Sequence, residues 1–391
     1  MDTESNHELR TGPVAEVDDC HTLRLWLDAW NDLARRAIVA NPFFESGALL
    51  AALEEGLMEP GWRILLIFDY QDRRRLIGLV PLKQCRFHPL IPQRIWRSLS
   101  HIYSFCSVPL IDREKAADAM SALLRWIATR ASAPVDLEKI PVNEALWPVV
   151  QQSLKTHFMP RMVHNPFERA AMRPSTSADA YLANALRKKR RKELSRQRRR
   201  LEELGTLEMR HLGPADDPAP WIEQFIALES RGWKGRRGTA MAMREGDLNY
   251  FRRMVHHFHQ HGRIELRGMY LDDQPIALKC NLVGASADRI GFAFKIAYDE
   301  RFDSYSPGVQ LEIEQIIHMH EDDASSGWMD SCASAEHFMI NRLWTERRQF
   351  ASILVGPPSI RGRSTIKALE GAAALHRIYA GKDGEGRELE P

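Results

Sequence analysis

The sequence lacks the features of several specialised classes of protein. Its 391 residues contain no run of about 18 apolar residues, so we expect no membrane-spanning helix. Residues 1–8 are polar and acidic and have neither the basic nor the apolar region of a secretory signal. These two absences predict a cytoplasmic protein.

Potential metal ligands are few or badly spaced. The five cysteines lie at scattered positions: Cys20, Cys85, Cys106, Cys280 and Cys332. An odd, scattered set predicts reduced thiols rather than a metal site. The histidines of residues 256–261 share one predicted helix, where only an i, i+3 or i, i+4 pair faces the same way. No cysteine or carboxylate completes a ligand set, so we predict that the protein binds no metal.

What the chain does have is the composition and pattern of a two-domain globular protein. Hydrophobic residues make up 44% of it and charged residues 27%, and its length suits two domains of roughly 100 to 200 residues each. In the first half, an amphipathic segment from Thr22 to Ala37 precedes two paired strands at 63–68 and 76–82. The second half repeats this order of helix and hairpin.

The most informative segment joins a predicted strand to a predicted helix through the sequence Ser306-Pro307-Gly308. An extended run at 288–294 precedes it, and from Val309 onwards apolar residues recur at helical spacing. Proline suits the first turn of a helix, and glycine lets the backbone approach a ligand closely. The free N–H groups of such a helix start can hold an anionic group such as a pyrophosphate. A plain strand-to-helix turn is the alternative.

Two elements of the second half together resemble the GNAT acyltransferase superfamily. They are Gly-Trp-Lys-Gly at 232–235 and Lys-x-x-Tyr-Asp-x-x-x-x-x-Tyr-Ser-Pro-Gly at 295–308, with a predicted hairpin at 262–283 between them. The closest resemblance is to the bacterial branch of CelD-like cellulose-biosynthesis proteins, which is distantly related to FemAB-type transferases. It extends over roughly residues 175–355.

The resemblance implies a fold of class α/β (α+β). Two GNAT-like domains are expected, each with a mixed, mostly antiparallel sheet flanked by helices, the first being a degenerate copy of the second. We place a mobile N-terminus at 1–20, the degenerate domain at 21–172, the catalytic acyltransferase domain at 173–380 and a mobile tail at 381–391. The boundary lies in the segment 165–177, where two prolines and a Ser-Thr-Ser run break the pattern.

The resemblance also implies that acyl-CoA is the donor substrate. Its pantetheine would lie along the splayed strands at 276–283 and 288–294. Its pyrophosphate would meet five residues at the following helix: Tyr305, Ser306, Pro307, Gly308 and Val309. Of these, Gly308 is the residue whose replacement should weaken binding most.

Acyl transfer to an amine needs groups that move protons and stabilise the leaving thiolate. We place Lys295, Tyr298 and Asp299 in the loop just past the strand. There Asp299 would orient Lys295 or take a proton, and Tyr298 would donate to the thiolate. An ion pair that only fixes the loop is the alternative.

Other candidates come from the Gly-Trp-Lys-Gly element and from residues 329–337. Glu229, at a helix end, is a candidate catalytic residue, and Trp233 and Lys234 are candidates for binding the acceptor; Trp233 as a core aromatic is the alternative. Asp330 is a further candidate for substrate binding. His337 is the best histidine for a general base because its ordinary pKa is near neutrality, although a surface or capping histidine fits equally.

Residues 187–200 contain ten basic residues and one acidic residue, and no proline or glycine occurs before Gly205, so we predict a single helix through this run. Nucleic-acid binding is disfavoured because no aromatic residue is interleaved. An anionic membrane surface, an acyl carrier protein, the coenzyme phosphates and a solvated helix face all remain open as explanations.

The sequence therefore predicts a bacterial N-acyltransferase that moves an acyl group from acyl-CoA or an acyl carrier protein to an amine. The basic helix favours a lipid amine, such as a sphingoid long-chain base in a ceramide-synthase-like reaction, and peripheral binding to the inner membrane. The alternatives are an acetyltransferase and a non-catalytic assembly factor in exopolysaccharide or cellulose biosynthesis.

Overall fold

In a computed structural model, the thirteen strands of the described residues form one mixed sheet. The structure describes residues 13–89, 91–131, 133–321 and 327–383, with side chains up to residue 373. The predicted α/β class is confirmed. In the part of the chain that is described, every helix falls short of a transmembrane span in length or in apolar content.

The N-terminal half contributes seven strands and five helices to the described structure. The strands are β1 (Val14–Val17), β2 (Trp62–Phe68), β3 (Leu76–His88), β4 (Ile91–Ser98), β5 (Leu110–Ile111), β6 (Val135–Pro141) and β7 (Arg161–Met172). The helices are α1 (Cys20–Arg24), α2 (Leu27–Arg36), α3 (Ser46–Glu54), α4 (Ala116–Thr129) and α5 (Leu146–Thr156).

The C-terminal half supplies the remaining described elements. Its strands are β8 (Leu207–His211), β9 (Ile264–Leu271), β10 (Gln274–Val283), β11 (Ile290–Tyr298), β12 (Trp328–Asp330) and β13 (Glu346–Val355). Its helices are α6 (Ala178–Ala185), α7 (Lys188–Glu202), α8 (Ala219–Arg231), α9 (Trp233–Arg236), α10 (Glu245–Gln260), α11 (Pro307–His318), α12 (Phe338–Leu343) and α13 (Ile360–Asp383).

The two halves repeat one order of elements and exchange their last strands. The sheet order is β1-β2-β3-β4-β6-β13-β7-β12-β11-β10-β9-β8. Each half has one parallel pair, β4 with β6 and β11 with β12, among antiparallel neighbours. Strand β13 of the second half lies between β6 and β7 of the first, and β7 in turn pairs with β12. The sheet is therefore continuous across the boundary predicted at 172/173.

An apolar core also joins the two halves. Phe43, which follows α2, contacts Phe292 and Phe294 of β11, with ring centroids 6.0 and 6.3 Å apart. All three side chains are almost completely buried. Since burial of apolar surface is the main driving force of folding, the halves stabilise one another rather than folding around separate cores.

Several predicted boundaries differ from the structure. The N-terminal segment predicted as mobile, 1–20, includes β1, which pairs with β2; residues 1–12 lie outside the described part. Of the predicted mobile tail, 381–383 belong to α13 and 384–391 lie outside the described residues. The basic run does form a single helix, α7 (Lys188–Glu202), and the extended residues Leu186 and Arg187 separate it from α6.

Candidate active site in an opening of the sheet

The sheet opens between β11 and β12. These strands pair only where Ile290–Phe292 meet Trp328–Asp330, and then diverge. A cavity of about 250 Å³, here called the central cavity, lies in the opening. It is lined by Phe294, Lys295 and Ile296 of β11 and by residues 331–333 after β12. A ligand at this point can make contacts on both faces of the sheet.

Lys295 and Tyr298 lie on a strand, not in the loop predicted for them. The strand continues because Lys295 to Tyr298 pair with Cys280 to Ala277 of β10. Their side chains serve different cavities. Lys295 contacts Glu229 at the end of α8, whereas Tyr298 lines a second cavity at the start of α11.

Glu229 is held between two lysines. Its Oε1 atom is 2.7 Å from the Nζ atom of Lys295 and 3.1 Å from that of Lys234, and its Oε2 atom accepts the backbone N–H of Met241 at 2.9 Å. Gly235 makes this arrangement possible, because a Cβ atom there would lie 1.8 Å from the carbonyl oxygen of Ser230. The Gly-Trp-Lys-Gly element thus brings Lys234 against Glu229.

Burial and charge shift the pKa values of this group. Burial would raise the pKa of Glu229, but Lys295 and Lys234 outweigh it and hold the pKa below its ordinary value. Burial lowers the pKa of Lys295, and the positive charge of Lys234 lowers it further despite the contact with Glu229. Glu229 is therefore an ionised carboxylate, and Lys295 releases its proton more easily than a free amine does.

The N-terminal half supplies part of the same cavity. The Nζ atom of Lys295 lies 4.9 Å from the ring centroid of Tyr103, whose hydroxyl donates to Oδ2 of Asp247 at 2.7 Å. Ile102 and Phe105 also line the cavity. Sequence reasoning missed Tyr103, because nothing in its local sequence shows that it contacts a strand of the other half.

A second buried ion pair lines the central cavity on the α11 side of the sheet. Lys279 of β10 and Glu312 of α11 are 2.6 Å apart and almost fully buried, and the Lys279 ammonium lies over the Trp344 ring. Sequence reasoning missed this pair too. Since Glu229 contacts Lys295 from α8, the cavity has a carboxylate–ammonium pair on each face of the sheet.

A larger cavity of about 750 Å³ lies at the start of α11; it is here called the donor cavity because the sequence analysis expected the donor's pyrophosphate at this helix start. Four of the five residues predicted to meet the pyrophosphate, Ser306, Pro307, Gly308 and Val309, line this cavity, together with three arginines: Arg187, Arg190 and Arg342. No side chain caps α11 within the described residues, and its N-cap Ser306 is left-handed with φ 52°. Free helix N–H groups beside arginines suit an anionic group. Met339 lines both cavities, so they lie side by side.

Two donor-site predictions differ from the structure: the sensitivity of Gly308 to replacement and the position of Tyr305. Gly308 has space beside it, because an added Cβ atom would be 3.5 Å from Cδ1 of Tyr298, an ordinary contact. Alanine therefore fits here, and only a larger side chain would fill the cavity. Tyr305 does not line the donor cavity; its ring lies under the guanidinium of Arg200, 5.7 Å away.

Asp299 does not orient Lys295. Its carboxylate pairs with Arg301 at 2.6 Å and caps the 3-10 turn at 300–305, and Glu229 takes the predicted place beside Lys295. The prediction failed because Glu229 is 66 residues distant in sequence. Burial, followed by the charge of Asp303, raises the pKa of Tyr298, so its hydroxyl keeps its proton at neutral pH.

The other predicted residues lie at the edges of the site or away from it. His337 caps α12 through Nδ1, and its exposed side chain lines the rim of the central cavity. Trp233 is 43% exposed and does not line the cavity. Asp330 is completely buried between Arg169 and Arg348 and does not reach it. Among the described residues no group of three His, Cys, Asp or Glu side chains is placed to hold a metal ion.

Comparison with known proteins shows what this region is similar to. Residues 188–338 match the family described as an acetyltransferase (GNAT) domain. No curated protein matches the chain. A conserved protein of unknown function from Bacteroides thetaiotaomicron has a similar structure, with 10% identity, a TM-score of 0.54, and coverage of 88% of this chain and 99% of that one.

FemX is also similar, with 11% identity, a TM-score of 0.52, and coverage of 83% of this chain and 95% of FemX. At such identities these structures show a shared fold. Strand β11, the opening beside it and the start of α11 all fall within the residues that match the family. Residues 188–338 of this chain are thus similar to a GNAT acetyltransferase domain.

Proposed function

We propose that this protein is an N-acyltransferase that moves an acyl group from coenzyme A to an amine. The observation that carries the proposal is that the two cavities are adjacent, since Met339 lines both. The coenzyme phosphates bind at the arginines and the start of α11. The pantetheine then runs towards the opening of the sheet, which brings the thioester carbonyl to Lys295.

For each amide formed, one proton has to move from the amine nitrogen to the thiolate sulfur. The neutral amine nitrogen attacks the thioester carbonyl carbon, the C–N bond forms, and the C–S bond breaks as the tetrahedral intermediate collapses. Lys295, in its neutral form, accepts the proton that the nitrogen loses and then donates it to the departing thiolate sulfur. The products are an amide and a free thiol, and Lys295 returns to its starting state.

Lys295 suits this task better than Glu229 does. A catalytic base works best when its pKa lies near the working pH, and burial moves the pKa of Lys295 downwards towards that range. The carboxylate of Glu229 is held ionised by two lysines, so it is a weak base that orients Lys295. Tyr103 limits the position of the ammonium from the opposite side.

Calorimetric titration with coenzyme A, acetyl-coenzyme A and palmitoyl-coenzyme A tests the donor. The double variant Arg187→Gln/Arg190→Gln is expected to weaken binding of all three by about tenfold or more, because each charge-assisted contact contributes about 1.5–3 kcal/mol. Arg199→Gln is the matched control, since Arg199 is exposed on the same helix α7 but does not line the donor cavity.

Three outcomes have different meanings. Tighter binding of palmitoyl-coenzyme A than of acetyl-coenzyme A supports a long-chain donor, and the reverse order supports an acetyltransferase. If none of the three binds, coenzyme A is not the donor; an acyl carrier protein or a non-catalytic assembly role in polysaccharide synthesis then becomes the better explanation.

For the acceptor we propose a lipid amine, such as a sphingoid long-chain base, as expected from the resemblance to the CelD-like branch. The surface around the donor cavity supports this. Lys188, Lys189 and Lys192 of α7 are exposed, while Leu194 and Leu201 anchor the helix to the core. Phe338, which lines the donor cavity, is 73% exposed. Basic residues beside an exposed aromatic side chain suit an anionic membrane surface.

Flotation with vesicles of phosphatidylcholine and phosphatidylglycerol tests this surface. The variant Lys188→Glu/Lys189→Glu/Lys192→Glu should bind about a hundredfold more weakly, since each basic residue near an anionic surface contributes about 1 kcal/mol. Arg198 is left unchanged because it pairs with Glu314 and Glu202 within the fold. Unchanged flotation would rule out membrane binding through α7. Vesicles of phosphatidylcholine alone are the control.

A further inference from the structure

The reaction proposed above leaves one feature of the site without a role, the second lysine beside Glu229. Lys234 belongs to α9, which begins within the Gly-Trp-Lys-Gly element. Its Nζ atom lies 3.1 Å from Oε1 of Glu229, the same oxygen atom that Lys295 contacts at 2.7 Å. Both lysines line the central cavity. One carboxylate therefore faces two amines inside the site.

Contact with Glu229 alone would make Lys295 a poor base. A carboxylate beside an amine favours the charged form of the amine, so a simple pair of these two residues would keep the proton on Lys295 at neutral pH. The reaction, however, requires a neutral Lys295 when the acceptor nitrogen loses its proton. Burial favours the neutral form, because only 10% of the Lys295 side chain is exposed. A second positive charge nearby would act in the same direction as burial.

Lys234 supplies that second charge. Two nitrogen atoms that lie 2.7 and 3.1 Å from one oxygen atom are at most about 6 Å apart, close enough for each ammonium to disfavour the other. With both lysines protonated, the group of two lysines and one glutamate is positively charged, and the loss of one proton makes it neutral. Lys295 is the lysine that loses the proton, because 25% of the Lys234 side chain is exposed and water stabilises its charge better.

The other titratable groups around Lys295 do not supply a positive charge. Tyr103 and Cys280 are neutral, because burial raises the pKa of the hydroxyl and of the thiol. Asp247 accepts the Tyr103 hydroxyl at 2.7 Å and, like a carboxylate in direct contact, favours the charged form of Lys295. The neutral form of Lys295 therefore depends on burial and on Lys234.

The third lysine of the central cavity cannot take the place of Lys234. Lys279 lies on the α11 side of the sheet, where Glu312 balances its charge at a distance of 2.6 Å. Such a pair is neutral as a whole and changes the protonation of Lys295 little. Lys234 differs because it has no carboxylate of its own in this contact and shares Glu229 with Lys295.

The Gly-Trp-Lys-Gly element holds Lys234 in this position. Its backbone carbonyl oxygen accepts the N–H groups of Thr239 and Ala240 at 2.8 and 3.2 Å. On the other side, Glu300 of the 3-10 turn accepts from the backbone N–H of Trp233 and from the Arg236 guanidinium. The segment is thus fixed at both ends, and the Lys234 ammonium stays on Glu229.

We propose that Lys234 is a positioning residue that acts through Lys295: it occupies the shared carboxylate of Glu229 and, by its charge, keeps the Lys295 amine free to accept a proton. This inference rests on the proposed function and adds how the base of that reaction is kept ready. It also gives the Gly-Trp-Lys-Gly element a role that differs from the acceptor binding predicted from the sequence.

Trace labelling with acetic anhydride measures the protonation of Lys295, because only a neutral amine reacts. The label is quantified by mass spectrometry at each pH in the tryptic peptide 290–301, in which Lys295 is the only lysine. In Lys234→Met the midpoint of the labelling curve should move to higher pH by about one unit or more, a common effect of a charge at this distance. Lys234→Arg keeps the charge and should keep the wild-type midpoint.

The matched control is Arg237→Gln. Arg237 is exposed at the end of α9, and its guanidinium lies over the Trp233 ring, 5.3 Å from the centroid. Its replacement removes one charge from the same segment and leaves the contacts of Glu229 in place, so the midpoint of Lys295 should not change. An unchanged midpoint in Lys234→Met, or an equal increase in Lys234→Arg, would overturn the proposal.

Turnover separates this inference from the proposed function. The assay follows thiol release from acetyl-coenzyme A or palmitoyl-coenzyme A with hydroxylamine, an amine that is neutral at neutral pH, as the acceptor. In Lys234→Met the rise of the rate should move to higher pH as the labelling curve does, and the rate should return to the wild-type value at high pH. A loss of rate that is equal at every pH would show a structural role and overturn the proposal. If neither thioester is turned over, the proposed function fails, and the labelling curves still decide whether Lys234 controls Lys295.

Discussion

Replacement of Lys295 by arginine is expected to lower kcat by about a hundredfold to ten-thousandfold, the usual contribution of a general base. Arginine keeps the positive charge beside Glu229, but its pKa above about 12 prevents it from accepting a proton at neutral pH. Donor binding should not change, because Lys295 does not line the donor cavity. Release of coenzyme A thiol, followed with a thiol reagent, measures the rate.

The pH profile distinguishes a base from a structural lysine. The wild-type rate should rise with pH as Lys295 loses its proton, and the rise should begin below the pH typical of a free lysine because burial lowers its pKa. An acceptor amine of low pKa keeps its own titration out of the profile. Lys115→Arg is the control, since Lys115 pairs with Asp69 in the N-terminal half at 3.1 Å. A Lys295→Arg enzyme with a normal rate would contradict the proposed role.

Replacement of Asp330 by asparagine is expected to lower the free energy of unfolding by about 3–5 kcal/mol, the cost of leaving a buried charge without its partner. Asp330 is completely buried and accepts from Nη2 of Arg169 at 2.6 Å and from Nη1 of Arg348 at 2.7 Å. These residues come from β12, β7 and β13, where the two halves exchange strands. The midpoint of urea unfolding measures the loss.

The control is an exposed ion pair. Glu223→Gln removes the ion pair with Arg252, whose N···O distance is 2.8 Å and which lies largely in solvent. This change should lower the free energy of unfolding by less than about 1 kcal/mol.

The pH dependence of the stability is a second test of the role of Asp330. Burial would raise the pKa of Asp330, but the two arginines hold it below 3.8. Its stabilisation is therefore complete above pH 3.8 and is lost as the pH falls through the lowered pKa. Equal midpoints for wild type and Asp330→Asn would contradict this account.

Asp330 was predicted to bind substrate, and the structure connects it to the site only indirectly. Arg169 also donates through Nη1 to the carbonyl oxygen of Phe105 at 2.7 Å, and Phe105 belongs to the segment that carries Tyr103. Asp330 thus supports the wall of the central cavity from behind. An acidic residue beside a predicted site has the same sequence pattern whether it faces a ligand or two arginines.

The sequence predicted those parts of the site that depend on local pattern. The helix start at Pro307 and Gly308 and the strand before it can be recognised from a few consecutive residues. The end of β11 was misplaced because its continuation to Tyr298 depends on pairing with β10. The partner of Lys295 was misassigned because it too depends on tertiary packing. Asp299, which is close in sequence, was preferred over Glu229 of the distant helix α8.

Contacts between the halves could not be predicted from local pattern at all. Tyr103 and Lys279 are ordinary residues in their own segments, and only the packing of the sheet places both at one cavity. The exchange of β7 and β13 between the halves cannot be predicted from local sequence either. Pro166 was interpreted as part of a domain boundary, but it lies in β7 at the point where the pairing with β13 changes register.

The exchange of last strands has a consequence for biosynthesis. In the native sheet the inner edge of β6 pairs only with β13, residues 346–355, so the N-terminal half leaves the ribosome with strands whose partners have not yet been translated. Unpaired strand edges are sites of aggregation. Nearly the whole chain must emerge before the first half can close, and a nascent chain stalled before residue 346 would present an open sheet to chaperones.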